Sequence, residues 1–140
     1  MRTYKSKINI PKSLRNQSVG KIGQSIFEIW YKRNFENEDL HEQMADNDYN
    51  QIDFTDWKAN KYQVKATSKK TYTFNCLIED VEDHLNCNYY PFIQVDLENN
   101  IAYIEDIYTK DYVKTNIKPS FRYNNCFIWK KDLQQNLLEI

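Results

Sequence analysis

Apolar residues recur every three or four positions in the segment SVGKIGQSIFEIWYKR. This spacing predicts a helix from about residue 18 to residue 34, because residues three and four apart share one face of a helix. Ser18 is suited to capping its N-terminus. The predicted apolar face comprises Val19, Ile22, Ile26, Ile29 and Trp30.

Strict alternation of apolar and polar residues predicts strands further along the chain. QIDFT and KYQVKAT flank the turn DWKAN, and TYTFNCLI places Tyr72, Phe74, Cys76 and Ile78 on one face. YPFIQVDL and IAYIEDIY form a hairpin around ENN, and CFIW is a short strand. Short helices are expected at 79–87 and 130–140. The order predicts one α/β domain, 1–140, with a mixed β-sheet flanked by helices.

The two glycines of the chain, Gly20 and Gly23, both fall within the first predicted helix. Each costs about 1 kcal/mol relative to alanine there, so helix propensity does not explain them. Their spacing of three puts them on one face, where we expect something to approach the backbone closely. That partner is either the sheet beneath the helix, which we favour, or a nucleic-acid phosphate near the helix start.

Charge is segregated along a chain that is nearly neutral overall, with a net charge of -1 over 140 residues. Residues 1–33 carry eight basic side chains against one acid, whereas the charged residues of 36–56 are all acidic. This excludes a global basic field. The three cysteines have no CxxC spacing, so we expect buried, reduced thiols. We also expect a cytoplasmic protein with no membrane partner, because no signal-peptide or membrane-spanning pattern occurs.

Candidate chemistry comes from the hairpin predicted around Lys58. A five-residue loop centred there sets Asp53 opposite Gln63, so that Asp53, Gln63 and Lys65 share one face. Directly opposite residues have Cβ atoms about 5 Å apart, close enough for one hard cation such as Mg²⁺ to bind oxygens of both. A neighbouring lysine would stabilise negative charge or help to deprotonate water. The other face is predicted to comprise Ile52, Phe54, Tyr62, Val64 and Ala66.

Asp53, nine residues and then Gln63-Val64-Lys65 resemble the motif of the PD-(D/E)xK nuclease superfamily. The resemblance implies a restriction-endonuclease-like core of helix, three strands, helix and strand. It also implies an endonuclease that hydrolyses phosphodiester bonds of DNA with Mg²⁺, or Mn²⁺. Asp53, Gln63 and the main chain of Val64 would bind the metal, and Lys65 would activate the nucleophile.

The sequence departs from the motif where Gln63 replaces the usual Asp or Glu, and Ile52 replaces proline. Many relatives also carry a Glu on the first helix, for which Gln24 and Glu28 are both candidates. The nuclease reading implies a homodimer or higher homo-oligomer, with DNA phosphates bound by Lys21, Lys61, Thr67, Lys69 and Lys70.

Two other hypotheses are consistent with the sequence. One is a nuclease-like fold without catalysis, which acts as a DNA- or protein-binding module or as an inhibitor. The other is an unrelated α/β protein whose hairpin is ordinary surface.

Overall fold

The computed structural model describes residues 6–42, 52–77, 87–119 and 125–130, which form a mixed α/β fold. The helices are α1 (Val19–Asn34) and α2 (Lys110–Asn116), with a 3-10 helix at Lys12–Leu14. The strands are β1 (Ser6–Asn9), β2 (Leu40–Glu42), β3 (Phe54–Asp56), β4 (Lys61–Tyr62), β5 (Lys65–Ser68), β6 (Thr73–Leu77), β7 (Tyr89–Asp96), β8 (Ile101–Thr109), β9 (Lys118–Pro119) and β10 (Asn125–Trp129). The helices predicted at 79–87 and 130–140 fall almost wholly outside these residues.

A seven-stranded sheet dominates the fold, with strand order β1-β8-β7-β4-β3-β2 and β5 also paired to β7. Strands β4 and β5 run parallel to β7, and the other pairings in this sheet are antiparallel. This confirms a mixed sheet and the predicted β7–β8 hairpin. A second sheet has the order β6-β10-β9.

The strand predicted at 71–78 belongs to the second sheet rather than to the sheet that carries the hairpin. Strand β6 begins only at Thr73, so Tyr72 precedes it and lies 79% exposed, while Phe74 is fully buried. The predicted face is therefore buried at Phe74 but not at Tyr72, which lies one residue before the strand and accepts a hydrogen bond from the Lys130 N–H at 2.9 Å.

Two apolar clusters form the core, and alternation along β7 sends its side chains to one or the other. Ile93 and Val95 pack in the first cluster with the buried face of α1, and Phe92 packs in the second with Val113 of α2 and Phe74. Helix α1 is therefore anchored to one face of the large sheet, as its apolar spacing predicts. Cys87 is buried in the second cluster and is a free thiol.

Helix α1 begins as predicted, because the Ser18 hydroxyl accepts a hydrogen bond from the Lys21 backbone N–H. Gly23 meets the sheet: a Cβ added there would lie 2.4 Å from the Cβ of Ala66 on β5. Gly20 has nothing within 4 Å of such a Cβ. The close approach is thus confirmed at Gly23, with the sheet as partner, and the same expectation for Gly20 is wrong.

We expect Gly23→Ala to lower the free energy of unfolding by about 1–3 kcal/mol, because the Ala66 Cβ is tied to the backbone and cannot rotate away. Gly20→Ala is the matched control in the same helix and should raise stability by up to about 1 kcal/mol. Adding Ala66→Gly to Gly23→Ala should recover part of the loss. Urea unfolding of the four proteins measures these differences; equal stabilities for the two alanine variants would contradict the packing argument.

Candidate functional site

The β3–β4 hairpin has the predicted register at two pairs, but the predicted pairing of Asp53 with Gln63 is not formed, because the Asp53 N–H bonds the Tyr62 carbonyl and the Gln63 N–H bonds the Tyr89 carbonyl. Phe54 pairs with Tyr62 and Thr55 with Lys61, which centres the loop on Lys58. The rings of Phe54 and Tyr62 both pack against Phe27 of α1, at centroid distances of 5.5 and 5.3 Å. Burial of these aromatic rings fixes the hairpin against the helix.

The antiparallel ladder of β3 and β4 ends at the Phe54–Tyr62 pair, and Asp53 is the next residue beyond it. The Asp53 N–H donates to the carbonyl of Tyr62 at 2.8 Å, so the pairing slips by one residue at this point. Ile52 accordingly packs against the second cluster, whereas Phe54 lies in the first. The prediction that Ile52 shares a face with Phe54 is wrong, because a slip of one residue reverses the faces of the residues beyond it.

The Asp53 carboxylate lies where β3 and the following strands separate, and it joins three parts of the chain. Oδ1 accepts a hydrogen bond from the side-chain amide of Gln24 at 3.1 Å, and Oδ2 accepts one from the backbone N–H of Val64 at 2.8 Å. Gln24 belongs to α1, whose first turns are held against β5 at Gly23. The carboxylate is therefore fixed in direction by one helix side chain and one strand amide.

Gln63 and Lys65 flank Val64 in the same segment. Gln63 is buried, with 6% of its surface exposed, and its N–H donates to the Tyr89 carbonyl at 3.1 Å. Lys65 is half-buried and pairs with Phe92 of β7. Val64 packs in the first cluster with α1. Ala66 faces Gly23 of α1, so alternation directs the Cβ of Lys65 to the face opposite α1.

The two helix candidates occupy different surroundings. Gln24 contacts the Asp53 carboxylate, while Glu28 lies 3.8 Å from the ammonium of Lys32, four residues along the helix. Both members of that ion pair are partly exposed, at 34% and 62% of their side-chain surface. Gln24 is therefore the helix residue that the structure brings to Asp53.

The oxygen donors at this point suit a hard cation that keeps several of its waters. Within the described ranges there is no group of three His, Cys, Asp or Glu side chains that could hold a metal. The carboxylate of Asp53 accepts two hydrogen bonds, and a carboxylate offers about four lone-pair directions. Asp53 contributes one negative charge, and Gln63 and Val64 carry an amide and a main-chain oxygen, the type of ligand that Mg²⁺ prefers.

The predicted DNA contacts fall into two groups. Lys21 and Lys61 are exposed. Lys69 lies 3.6 Å from a carboxylate oxygen of Asp96, and Lys70 is paired with Glu98, whose hydrogen bond raises the pKa of the Lys70 amine. Phosphate binding by these two lysines would exchange one anionic partner for another.

Thr67, the remaining predicted DNA contact, is partnered within its own turn. Its hydroxyl donates to the Thr73 carbonyl at 3.2 Å and shares a hydrogen bond with the Thr71 hydroxyl. A phosphate oxygen would have to compete with these bonds for the hydroxyl proton.

A group of buried polar side chains lies on the face of the large sheet opposite α1. The sequence did not predict this group. The Lys130 ammonium donates to the Gln94 amide oxygen at 3.0 Å and to the Ser68 carbonyl at 2.9 Å. The Gln94 amide nitrogen in turn donates to the Glu105 carboxylate. Gln94 and Glu105 are 2% and 1% exposed, and their signal was a polar residue within each apolar run of the predicted hairpin.

Comparison with known proteins leaves the function to be argued from these contacts. No protein-family model matches the chain, and no curated protein matches its sequence. In the part of the chain that the structure describes, no helix is both long and apolar enough to cross a membrane.

Proposed function

We propose that the protein is a metal-dependent endonuclease that hydrolyses phosphodiester bonds in DNA. The observation that supports this most is the placement of the Asp53 carboxylate, which bonds the amide of Val64 between Gln63 and Lys65. The carboxylate of the motif thus contacts the backbone of the segment that carries its amide and its lysine.

Each residue has a role that follows from its contacts. Asp53 supplies the negative charge of the site, and Gln24 and the Val64 amide hold its carboxylate in one orientation. Lys65 would take a proton from water or stabilise negative charge on the phosphate. Its flexible four-carbon stem would have to bend toward the start of β5 for the amine to reach the phosphate. Mg²⁺ held at Asp53 would supply Lewis-acid polarisation of the phosphate. The oxygen of a water molecule would bond to phosphorus as the bond to the sugar 3′ oxygen breaks, and that 3′ oxygen would take up a proton from solvent.

The exposed lysines Lys21 and Lys61 would bind phosphates without reading sequence. A single small domain carries one such site, so cutting both strands of a duplex implies two copies of the chain. The proposal therefore includes a homodimer or higher homo-oligomer.

The alternative is a binding or inhibitory protein with the same fold and no catalysis. The contacts of Asp53 favour it to this extent: both carboxylate oxygens already serve as hydrogen-bond acceptors within the protein. A carboxylate used in this way also braces a helix against a hairpin. Gln63 adds no second negative charge, and a neutral amide binds a hard cation less well than a carboxylate does.

Cleavage of DNA substrates of different shape, with Mg²⁺ or Mn²⁺ and with a chelator, separates the two proposals. We expect cleavage that requires the metal, on at least one of duplex, branched and single-stranded DNA. No cleavage of any substrate in either metal would refute the nuclease and leave the binding protein.

Gln63→Glu tests the metal site with a second readout. A carboxylate there should lower the Mg²⁺ concentration for half-maximal cleavage by about tenfold or more, because it adds a charged oxygen ligand. In metal-free buffer the buried charge should lower the melting temperature, and Mg²⁺ should restore it. Gln17→Glu, at an exposed position, is the charge-matched control. Equal responses of the two variants to Mg²⁺ would contradict a metal site at Gln63.

A further inference from the structure

The loop of the β3–β4 hairpin is built around one buried carboxylate. Asp56 is 7% exposed. Its Oδ1 accepts the backbone N–H groups of Lys58 and Asn60, both at 2.9 Å. Its Oδ2 accepts the Asn60 side-chain amide at 3.1 Å and the Tyr62 hydroxyl at 2.9 Å. Four hydrogen bonds to one side chain leave this loop a single arrangement.

Two further features hold the loop in that arrangement. Burial and the hydrogen bond to Asp56 raise the pKa of the Tyr62 hydroxyl, so it remains a donor to the carboxylate at ordinary pH. Ala59 has φ of 65°, in the left-handed region that alanine rarely adopts. The surrounding hydrogen bonds maintain this conformation against its local cost of about 1–2 kcal/mol.

The braced loop presents an indole ring to solvent. Trp57 is 56% exposed, although a tryptophan is highly buried on average. The ammonium of Lys58 lies 5.0 Å from the centre of its ring, a cation–π contact that steadies the indole. With Lys58 beside the ring, more than half of the surface of Trp57 is still exposed to solvent.

The charged side chains of the loop indicate which class of partner the indole would bind. Lys58 and Lys61 are exposed on the loop and at the start of β4, and the one acid between Phe54 and Lys61, Asp56, is buried in internal hydrogen bonds. The loop thus offers a stacking surface beside two cations, and a phosphate chain would approach from the loop rather than over the neighbouring strand β2, beside which Asp39 and Glu42 are exposed. A flat aromatic group attached to a phosphate chain matches this surface, whereas an acidic or apolar peptide matches only half of it.

We propose that Trp57 stacks on an unpaired base of DNA, which makes single-stranded or branched DNA the substrate class of the proposed nuclease. The inference rests on that proposed function, because it assigns a substrate to the same site. Trp57 follows Asp53 by four residues of extended chain, about 13 Å or four base steps. A base in continuous duplex is stacked on both sides and cannot receive the indole.

The test measures binding in a chelator, where no metal-dependent cleavage occurs. Fluorescence anisotropy of labelled single-stranded, branched and duplex DNA gives the affinities. We expect Trp57→Ala to weaken binding of the single-stranded and branched DNA by about 5- to 150-fold. Trp57→Phe should retain part of the affinity, because phenylalanine also stacks. Tyr72→Ala is the control at another exposed aromatic, and binding to continuous duplex should change less than about twofold.

Tryptophan fluorescence gives an independent readout of the ring itself. Subtracting the signal of Trp57→Phe from that of the unaltered protein removes the contributions of Trp30 and Trp129 and isolates that of Trp57. We expect acrylamide to quench this difference signal in the free protein and bound oligonucleotide to quench it by stacking. A ring already shielded from acrylamide in the free protein, by a second copy or another covering chain, would overturn the inference.

The remaining outcomes separate this inference from the proposed function. Metal-dependent cleavage with unchanged affinity in Trp57→Ala overturns the stacking role and leaves the nuclease. Binding that depends on Trp57 without cleavage in any metal supports the stacking role and overturns the nuclease. Failure of the unaltered protein to bind any of the three DNA forms overturns the inference.

Discussion

Replacing Asp53 with alanine is expected to lower metal-dependent DNA cleavage by about a thousandfold or more. The substitution removes the only negative charge of the proposed donor set. It also leaves the Val64 N–H without the acceptor that it has in the structure, at a cost to stability of about 1–3 kcal/mol. The variant must therefore be compared at a temperature where thermal melting shows that it is folded.

Lys65→Ala separates catalysis from folding. The side chain of Lys65 is half-buried, and Gln24 and the Val64 N–H donate hydrogen bonds that orient the Asp53 carboxylate. We expect cleavage to fall by a similar factor, while affinity for DNA in metal-free buffer changes by the loss of about one phosphate contact. A Lys65→Ala enzyme that cleaves at the normal rate would remove Lys65 from the mechanism and leave Asp53 to be explained by its bracing contacts.

Two helix variants complete the comparison. Gln24→Ala removes one of the two donors that orient the Asp53 carboxylate and should lower cleavage by about 10- to 100-fold. Glu28→Ala should leave cleavage within about threefold, because Glu28 pairs with Lys32 at the surface. The opposite ranking would mean that Glu28, rather than Gln24, serves the site.

The parts of the fold that could be predicted are those decided by local pattern. Helix α1 has a cap and a continuous apolar face, and the hairpin register follows from the loop length at Lys58. The breakdown at Ile52 could not be predicted, because it depends on Asp53 bonding to Tyr62 one residue out of step. Alternation fixes faces only while the ladder continues.

The elements that were missed depend on long-range contacts. Strand β1 pairs with β8, almost a hundred residues away in the chain, and carries only four residues of its own. Helix α2 is seven residues long and has one buried side chain, Val113, which is too little for an apolar period to register. Gly20 and Gly23 looked equivalent in sequence, and only the position of Ala66 distinguishes them.

The same limit applies to the candidate site. The motif predicted that the segment of Gln63 to Lys65 lies near Asp53. The Gln24 contact spans 29 positions of the chain and depends on how α1 packs on the sheet, so the motif did not predict it. The direction of the Lys65 stem likewise depends on Ala66 packing against Gly23. Sequence spacing therefore predicted that Asp53 lies beside the segment of Gln63 to Lys65, but not the contacts of its carboxylate.

Replacing Lys130 is expected to have the second large effect, in this case on the free energy of unfolding. Its ammonium crosses from the second sheet to the first, where it reaches the Ser68 carbonyl and, through Gln94, the Glu105 carboxylate. Lys130 and Glu105 are 7% and 1% exposed, so both charges have been removed from water. Removing one of two buried charges that are linked through a hydrogen-bonded amide is costly, because the other charge stays buried.

We expect Lys130→Met to lower the free energy of unfolding by about 3–5 kcal/mol, since methionine fills the space but leaves the Glu105 charge without this cation. Lys69→Met is the matched control: 48% of the Lys69 side chain is exposed, and its partner Asp96 keeps two hydrogen bonds from Asn99, so the change should cost less than about 1 kcal/mol. Adding Glu105→Gln to Lys130→Met removes the buried charge, keeps an acceptor for Gln94 and should recover part of the loss. Urea unfolding measures all four proteins. A Lys130→Met variant as stable as the Lys69→Met control would show that the buried cation does not hold the two sheets together.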